Sequence, residues 1–248
     1  MHTHVNWQKA ADPVLKKGMV HVWMARYSAA ELAGLDKFLL SDHEQARASR
    51  YRLDHVRDRF VFSHSILRRI LGHYLQLAPR AISFQQTDSG KPVLALEMNS
   101  SIHFSLSHAR DLSLYAFALD FEIGIDVEYL QRKVAVDAIA RRYFAPSEQD
   151  VLVRTSPDQR RGTFFRYWTC KEALLKASGK GLAGGLQRVV IGLHSFENPS
   201  VSFENSDPDA VVSWQLQQFI PRPQYLAALA IPAMDYSTAF FSWQTERE

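Results

Sequence analysis

The feature that most constrains how this chain folds is an order of elements that runs through it twice. From Asp42 to Leu77 the sequence is rich in Arg, Ala and Leu, with Phe60, His64, Leu67 and Leu71 recurring at spacings of three and four. That period puts apolar side chains on one face of a helix, which stops at Ala78-Pro79. Short strand-like stretches follow at Ala81 to Phe84, Val93 to Leu96, Ile102 to Ser105, Leu112 to Leu119 and Ile123 to Val127, with a turn at Asp88 to Pro92. A second helical stretch begins at Pro146, and Thr163 to Ser178 reads as a helix broken at Gly179 and Gly181. Strand-like stretches then return at Val189 to Leu193, Val201 to Phe203, Val211 to Phe219 and Tyr225 to Ile231. Even the texture of the late strands recurs, Leu114 to Leu119 against Tyr225 to Ala230. Strands that follow one another without intervening helices pair antiparallel. The expectation is therefore an α+β protein of two similar subdomains related by a pseudo-twofold, each a long helix packed on an antiparallel sheet, rather than alternating βαβ units. The join falls near Asp120 to Gly124, dividing the chain into an N-terminal subdomain 1–122 and a C-terminal subdomain 123–248.

A chain of 248 residues that is 46% hydrophobic can bury a sizeable core. The stretch Met1 to Val20 carries His, Asp, Asn and Lys, and no eighteen apolar residues follow one another, so neither a signal peptide nor a membrane span is expected. Cys170 is the sole cysteine, which excludes an intramolecular disulfide, lacks zinc-ligand spacing around it and points to a reducing cytoplasm. The pI is about 9.0 and arginines cluster at Arg47/Arg50/Arg52, Arg57/Arg59, Arg68/Arg69, Arg141/Arg142 and Arg160/Arg161. Such clusters suit a phosphate-rich ligand or an acidic partner protein, and equally a solvated helix face. A nucleic-acid binder would interleave basic residues with exposed aromatics. Here most aromatics fall on apolar strand faces, so no nucleic-acid partner is expected.

Three tracts carry chemistry. In Ile123-Gly124-Ile125-Asp126-Val127-Glu128 a strand would point Asp126 and Glu128 to the same face, and two carboxylates held that close suit a hard cation such as Mg²⁺. An amphipathic edge strand with two solvated acids has the same pattern. In the second tract, Trp168, Glu172 and Lys176 stand at i, i+4 and i+8 of a helix. They form a stripe that serves a site or simply stabilises the helix. The third, Ile102-His103-Phe104-Ser105-Leu106-Ser107-His108, ends with a hydroxyl beside an imidazole, an anion contact or a capped strand end. A Mg²⁺-dependent nuclease would want an Asp followed by Glu-x-Lys on the next strand, and no Glu-x-Lys occurs. No G-x-x-x-x-G-K-[ST] occurs either, and Gly179 to Leu182 with Gly184-Gly185 follow a helix, so they read as a helix stop.

Taken in order, the tracts resemble those of the surfactin-synthetase-type 4′-phosphopantetheinyl transferases. That family's G-I-D-[IV]-E matches Gly124 to Glu128, and its W-x-x-K-E-A-x-x-K-x-x-G-x-G-L matches Trp168 to Leu182. Its G-K-P matches Gly90-Lys91-Pro92, and its F-N-[IL]-S-H is close to Phe104 to His108, with Ser105 in place of the Asn. The likeness runs from about Arg47 to Leu182. It implies a two-lobed, pseudo-twofold fold and transfer of the 4′-phosphopantetheine arm of coenzyme A to a serine of an apo acyl carrier or peptidyl carrier protein, as in fatty acid, polyketide or nonribosomal peptide biosynthesis. Adenosine 3′,5′-bisphosphate would be released. The resemblance further implies that Asp126, Glu128 and Glu172 bind Mg²⁺, with Mn²⁺ as a substitute, and that Glu172 also or instead takes the proton of the attacking serine. Lys176 would steady the pyrophosphate or leaving group, and Lys91 and Pro92 would form the loop near adenine. Ser107, His108 and Arg47 would contact the 3′-phosphate, Arg59 the diphosphate, and Glu148 would be a further, supporting acid. A monomer is expected, since two lobes in one chain supply the cleft that smaller relatives build between subunits. A relative that binds coenzyme A or carrier protein without transfer would have no need of all three acids and Lys176.

Overall fold

The computed structural model describes residues 5–9, 12–28, 39–179, 185–203 and 213–243. After a short β1 (Gln8–Lys9), the first half runs through β2 (Met19–Arg26), α1 (Asp42–Ser49) and α2 (Asp54–Leu75). A 3-10 turn (Pro79–Ala81), a hairpin of β3 (Phe84–Gln86) and β4 (Pro92–Leu94), and a pair of β5 (Ile102–Ala109) and β6 (Leu112–Leu119) complete it. The second half repeats the order with β7 (Gly124–Tyr129), α3 (Val136–Tyr143), α4 (Pro146–Arg154) and α5 (Pro157–Ser178). It continues with a 3-10 turn (Leu186–Arg188), the hairpin of β8 (Val189–Gly192) and β9 (Ser200–Phe203), and the pair of β10 (Trp214–Phe219) and β11 (Tyr225–Pro232). The long helices α2 and α5 each have 22 residues. A last strand, β12 (Ser237–Ser242), crosses back to lie parallel to β2, so one sheet has the order β1-β12-β2-β6-β5 and the other β10-β11-β7.

The elements stack in four layers. Ile66, Leu67 and Ile70 of α2 pack on Phe104, Tyr115 and Phe117 of the first sheet. The other face of that sheet, with Val20, Val22 and Leu114, meets Ile125, Val127 and Leu229 of the second. Phe165 and Leu174 of α5 cover the outer face of the second sheet at Leu216, Leu226 and Ala228. Strands buried on both faces need apolar residues at nearly every position, which is why β6 beyond Ser113 and β11 read as apolar runs instead of alternating.

The helix expected from Asp42 to Leu77 is two helices, broken at Arg50 to Leu53, with Leu53 extended at φ −101° and ψ 121°. The cause lies far along the chain. Arg68, 1% exposed, places Nε 2.8 Å and Nη2 2.6 Å from Glu44 Oε2. Its Nη1 donates to the carbonyls of Pro79 and Ile82 at 2.9 and 2.8 Å. In one straight helix residues 44 and 68 would stand about 36 Å apart at 1.5 Å per residue, so α1 must fold back.

The second half repeats this device with a lysine in place of the arginine. Lys171, fully buried, lies 2.8 Å from Glu148 Oε2 and donates to the carbonyls of Leu186 and Val189 at 2.8 and 2.5 Å. In both halves the acid sits at the third position of a short helix and accepts the N–H of the preceding cap residue, Ser41 at 2.9 Å and Ala145 at 2.8 Å. In both, the cation on the long helix then ties down the first residue of a 3-10 turn and the residue after it. The reading of Glu148 as a supporting acid of the site is corrected accordingly: its oxygens are taken by Lys171, by Ala145 N–H and, at 2.8 Å, by Ile191 N–H. α3, eight residues long, has no counterpart among the expected elements, because so short a helix gives too few turns for a period to show.

Two close approaches fix how strands and long helices meet. On β2, His21 and Trp23 face α2, where Tyr74 Oη lies 2.8 Å from His21 Nδ1 and accepts Trp23 Nε1–H at 2.7 Å. Burial pushes His21 down to about 4, so it is neutral at pH 7. On β7, a Cβ at Gly124 would lie 2.0 Å from the carbonyl oxygen of Ala173 and 2.5 Å from the amide nitrogen of Ala177, so the strand runs backbone to backbone against α5. Gly124→Ala should therefore cost on the order of 3 kcal/mol or more in urea unfolding, since the rigid backbone of two core elements must part. A loss below about 0.5 kcal/mol would contradict this packing.

Candidate active site

Because side chains alternate along a strand, Ile125 and Val127 enter the core between the sheets while Asp126 and Glu128 share the face that Gly124 presses on α5. They are 5% and 9% exposed. The stripe of α5 meets them residue for residue. Lys176 Nζ lies 2.8 Å from Asp126 Oδ1, and Trp168 Nε1 donates to Glu128 Oε1 at 3.0 Å. Arg132, just beyond β7, adds a second donor to Glu128 Oε1 at 2.9 Å. Between them Glu172, half-buried, has no hydrogen-bond partner among the described residues.

Burial and the negative charge of Asp126 push Glu128 up to about 7 and raise Glu172 above the usual carboxylate range. These are like charges crowded together and largely shielded from solvent. Asp126 Oδ2 is itself buried and has no hydrogen-bond partner among the described residues. A bare, buried carboxylate oxygen requires a cation or a proton, and hard oxygen donors on three carboxylates suit a divalent cation that keeps some of its waters. Among the described residues no three His, Cys, Asp or Glu side chains already stand at metal-ligand spacing.

The third tract holds β7 from its other edge. Ser105 Oγ accepts Ile125 N–H at 3.1 Å, and Ser107 Oγ accepts Val127 N–H at 3.3 Å while donating to Asp126 Oδ1 at 2.9 Å. Two serines on one face of β5 thus stand where a neighbouring strand would stand, and Ser105, in place of the resembling family's Asn, still serves that edge. His108 follows in a cleft of about 620 Å³ shared with Arg59, Arg132, Asp126 and Glu128. Desolvation there and the charges of Lys176 and Arg59 lower its pKa. Across the Ser105 and Lys176 side chains lies a second cleft of about 350 Å³, walled by Ser89, Lys91, Pro92 and Leu175.

The structure therefore brings together Asp126, Glu128, Glu172, Lys176 and Ser107, and lines the adjoining clefts with Arg59, His108, Lys91 and Pro92. Arg47 stands apart from both linings: it is exposed on α1, its guanidinium 5.3 Å from the centre of the Phe60 ring. Lys91 is engaged elsewhere, with Nζ 2.8 Å from Glu122 Oε2 and 3.3 Å from the carbonyl of Ile123. His103 and Lys91 hold Glu122 down at about 2. Gly181, Leu182 and Gly184 lie outside the described residues. Sequence reasoning missed Arg132, Glu122 and the use of Ser105. Only Ser105 left a signal, its parity with Ser107.

A family model described as the 4′-phosphopantetheinyl transferase superfamily matches residues 122–230, and one described as 4′-phosphopantetheinyl transferase, N-terminal, matches residues 23–119. The chain is similar to the 4′-phosphopantetheinyl transferase HetI of Nostoc sp., 34% identical over 246 residues that cover 98% of this chain and 100% of the relative. It is also similar to the 4′-phosphopantetheinyl transferase Sfp of Bacillus subtilis, 27% identical over 203 residues, 81% of this chain and 87% of that one.

The raised Glu128 has a measurable consequence. Between the unfolded carboxylate value and about 7 the folded chain holds a proton that the unfolded chain gives up, so this group's contribution to stability is lost as pH rises through that window. Glu128→Gln, free of divalent cation, should therefore gain about 2 kcal/mol in urea unfolding at pH 8 and little at pH 5. An equal change at both values would show that Glu128 does not titrate there.

Proposed function

The chain belongs to the 4′-phosphopantetheinyl transferase superfamily, and from that membership together with the geometry of the acid cluster we propose how its residues perform the transfer. The enzyme moves the 4′-phosphopantetheine moiety of coenzyme A onto a serine of an apo acyl or peptidyl carrier protein. The serine oxygen attacks the phosphorus attached to pantetheine, a P–O bond forms, and the P–O bond to adenosine 3′,5′-bisphosphate breaks. The observation that carries the reading is Asp126, gripped at one oxygen by Lys176 and Ser107 and bare at the other, beside Glu128 and Glu172.

Asp126, Glu128 and Glu172 would hold Mg²⁺, or Mn²⁺ in its place, which when bound supplies positive charge to the phosphates. Trp168 and Arg132 fix the rotamer of Glu128, and Ser107 fixes that of Asp126. Glu172, which has no hydrogen-bond partner among the described residues, either completes the carboxylate set around the cation or, left outside it, takes the proton of the attacking hydroxyl. Lys176, which lines the smaller cleft and holds Asp126 of the larger, meets the negative charge that accumulates on the departing bisphosphate. Arg59 faces the diphosphate, His108 the 3′-phosphate with Arg47 as an outer contact, and Pro92 walls the adenine. Ser107, a 3′-phosphate contact by resemblance, acts on this reading through Asp126, where its hydroxyl is already spent.

The same reading treats 1–122 and 123–248 as the two subdomains and one chain as the working unit, the cleft lying between β5 of the first and β7 of the second. No helix among the described residues is long and apolar enough to cross a membrane, and a buried free thiol at Cys170 suits the cytoplasm.

The test is intact-mass spectrometry of an apo carrier protein incubated with the enzyme, coenzyme A and Mg²⁺, with and without EDTA. One added phosphopantetheine arm, absent with EDTA, is expected. No gain across several acyl and peptidyl carrier proteins, with folded enzyme, would overturn the reading. In the same assay Asp126→Ala should lower turnover by at least about a thousandfold, and Lys176→Ala should lower kcat by about a hundredfold while changing coenzyme A affinity far less. Near-normal turnover of the first variant would remove Asp126 from the metal site. An effect of the second confined to binding would deny Lys176 its part in the transition state.

A further inference from the structure

The turn between β3 and β4 belongs in sequence to the first half, yet its side chains fasten onto the second. Ser89 Oγ donates to the carbonyl of Gly179, the left-handed cap of α5. Lys91 Nζ, its side chain 11% exposed, reaches Glu122 Oε2 at 2.8 Å and the carbonyl of Ile123 at 3.3 Å, at the residue that precedes β7. Glu122 is in turn held by His103 Nδ1 at 3.2 Å, from β5. The turn is closed on itself, with Gly90 N–H on Thr87 O at 2.8 Å and Lys91 N–H on Thr87 Oγ1 at 3.1 Å. One short turn therefore bridges the end of the helix that carries Glu172 and Lys176 and the start of the strand that carries Asp126 and Glu128.

We propose that Lys91, Glu122 and Ser89 form a clasp that ties the end of α5 to the start of β7 and closes the smaller cleft, and that Lys91 is a positioning residue whose ammonium touches Glu122 rather than a phosphate of coenzyme A. The clasp rests on the coenzyme A reading only for the ligand used to probe it. Charge is what separates the two roles. Were Lys91 a phosphate contact, Glu122 would be its competitor, and Glu122→Gln would free the ammonium and tighten coenzyme A. In a clasp the same change removes the anchor, and coenzyme A weakens.

Isothermal calorimetry with coenzyme A and with 3′-dephospho-coenzyme A, on the wild type and on Lys91→Met, Glu122→Gln and the double variant, decides between them. Both single variants should weaken both ligands on the order of tenfold, as expected for loss of a hydrogen bond to a charged group. The double variant should be no weaker than Lys91→Met alone, because the two residues act as one contact. Tighter coenzyme A binding by Glu122→Gln, no change in that variant, or a loss in Lys91→Met that spares the 3′-dephospho ligand would each overturn the clasp. Amide hydrogen exchange at Gly90 and Lys91 reads the same contact without ligand, and should quicken in Glu122→Gln, whose side chain is half exposed. Should the wild type bind neither ligand, the coenzyme A reading fails, and exchange alone still decides the clasp: unchanged exchange in Glu122→Gln would end it.

Discussion

The backbone of β7 rests on the backbone of α5 at Gly124, nearer than any side chain would permit, and the rest of the site takes its dimensions from that contact. A strand and a helix normally stand about 10 Å apart because side chains fill the space between them. Here one position has none, so the residues two and four further along β7 arrive within hydrogen-bonding distance of a helix stripe. Asp126 and Glu128 then meet Lys176 and Trp168 directly. Their burial and crowding follow from the same approach, and with them the high proton affinity of Glu128 and Glu172.

That approach has to be held against the repulsion it creates, and the two buried ion pairs show how the long helices are anchored. Lys171 sits one residue before Glu172 on α5 and is locked to Glu148, to the turn after the helix and, through Glu148, to β8. A buried pair of this kind gives little net stability compared with apolar packing, while loss of one partner is severe. Its value is positional: the helix cannot rotate about its axis without stranding a charge. Arg68 and Glu44 do the same for α2. Since the device recurs with the same bond from the cap N–H to the acid, the same long-helix length and the equivalent pair of carbonyls, the duplication is written in bonding partners as well as in the order of elements.

Sequence periods made much of this legible. Period two placed Asp126 with Glu128 on one face, and period 3.6 aligned Trp168, Glu172 and Lys176. Each of these is local, decided within a few residues. Most of what escaped depends on partners distant in the chain. The break between α1 and α2 answers to Arg68 meeting Glu44, and no residue near Arg50 signals it. Glu122 is an ordinary surface charge until the fold carries it to Lys91, 31 residues away; Arg132, only four residues from Glu128, lies past the end of β7, where the period of the strand no longer says which way it turns. Glu148 was placed by resemblance near the site, and only its bonding partners reveal that it supports the helix instead. Ser107 was read as a ligand contact, a reading to which the sequence could not add that its hydroxyl bridges two groups of β7.

The network of His21, Trp23 and Tyr74 occupies, in the first half, the strand face and helix that in the second half carry the acids. The repeated arrangement offers two such places, and this chain fills one with aromatic rings and a neutral imidazole. The halves are thereby specialised. One keeps charge in a poorly solvated crevice, a standing source of strain that makes it reactive. Its counterpart, an aromatic trio joined through one shared hydroxyl, carries no charge that burial would penalise, so the molecule bears the cost of a charged crevice once instead of twice.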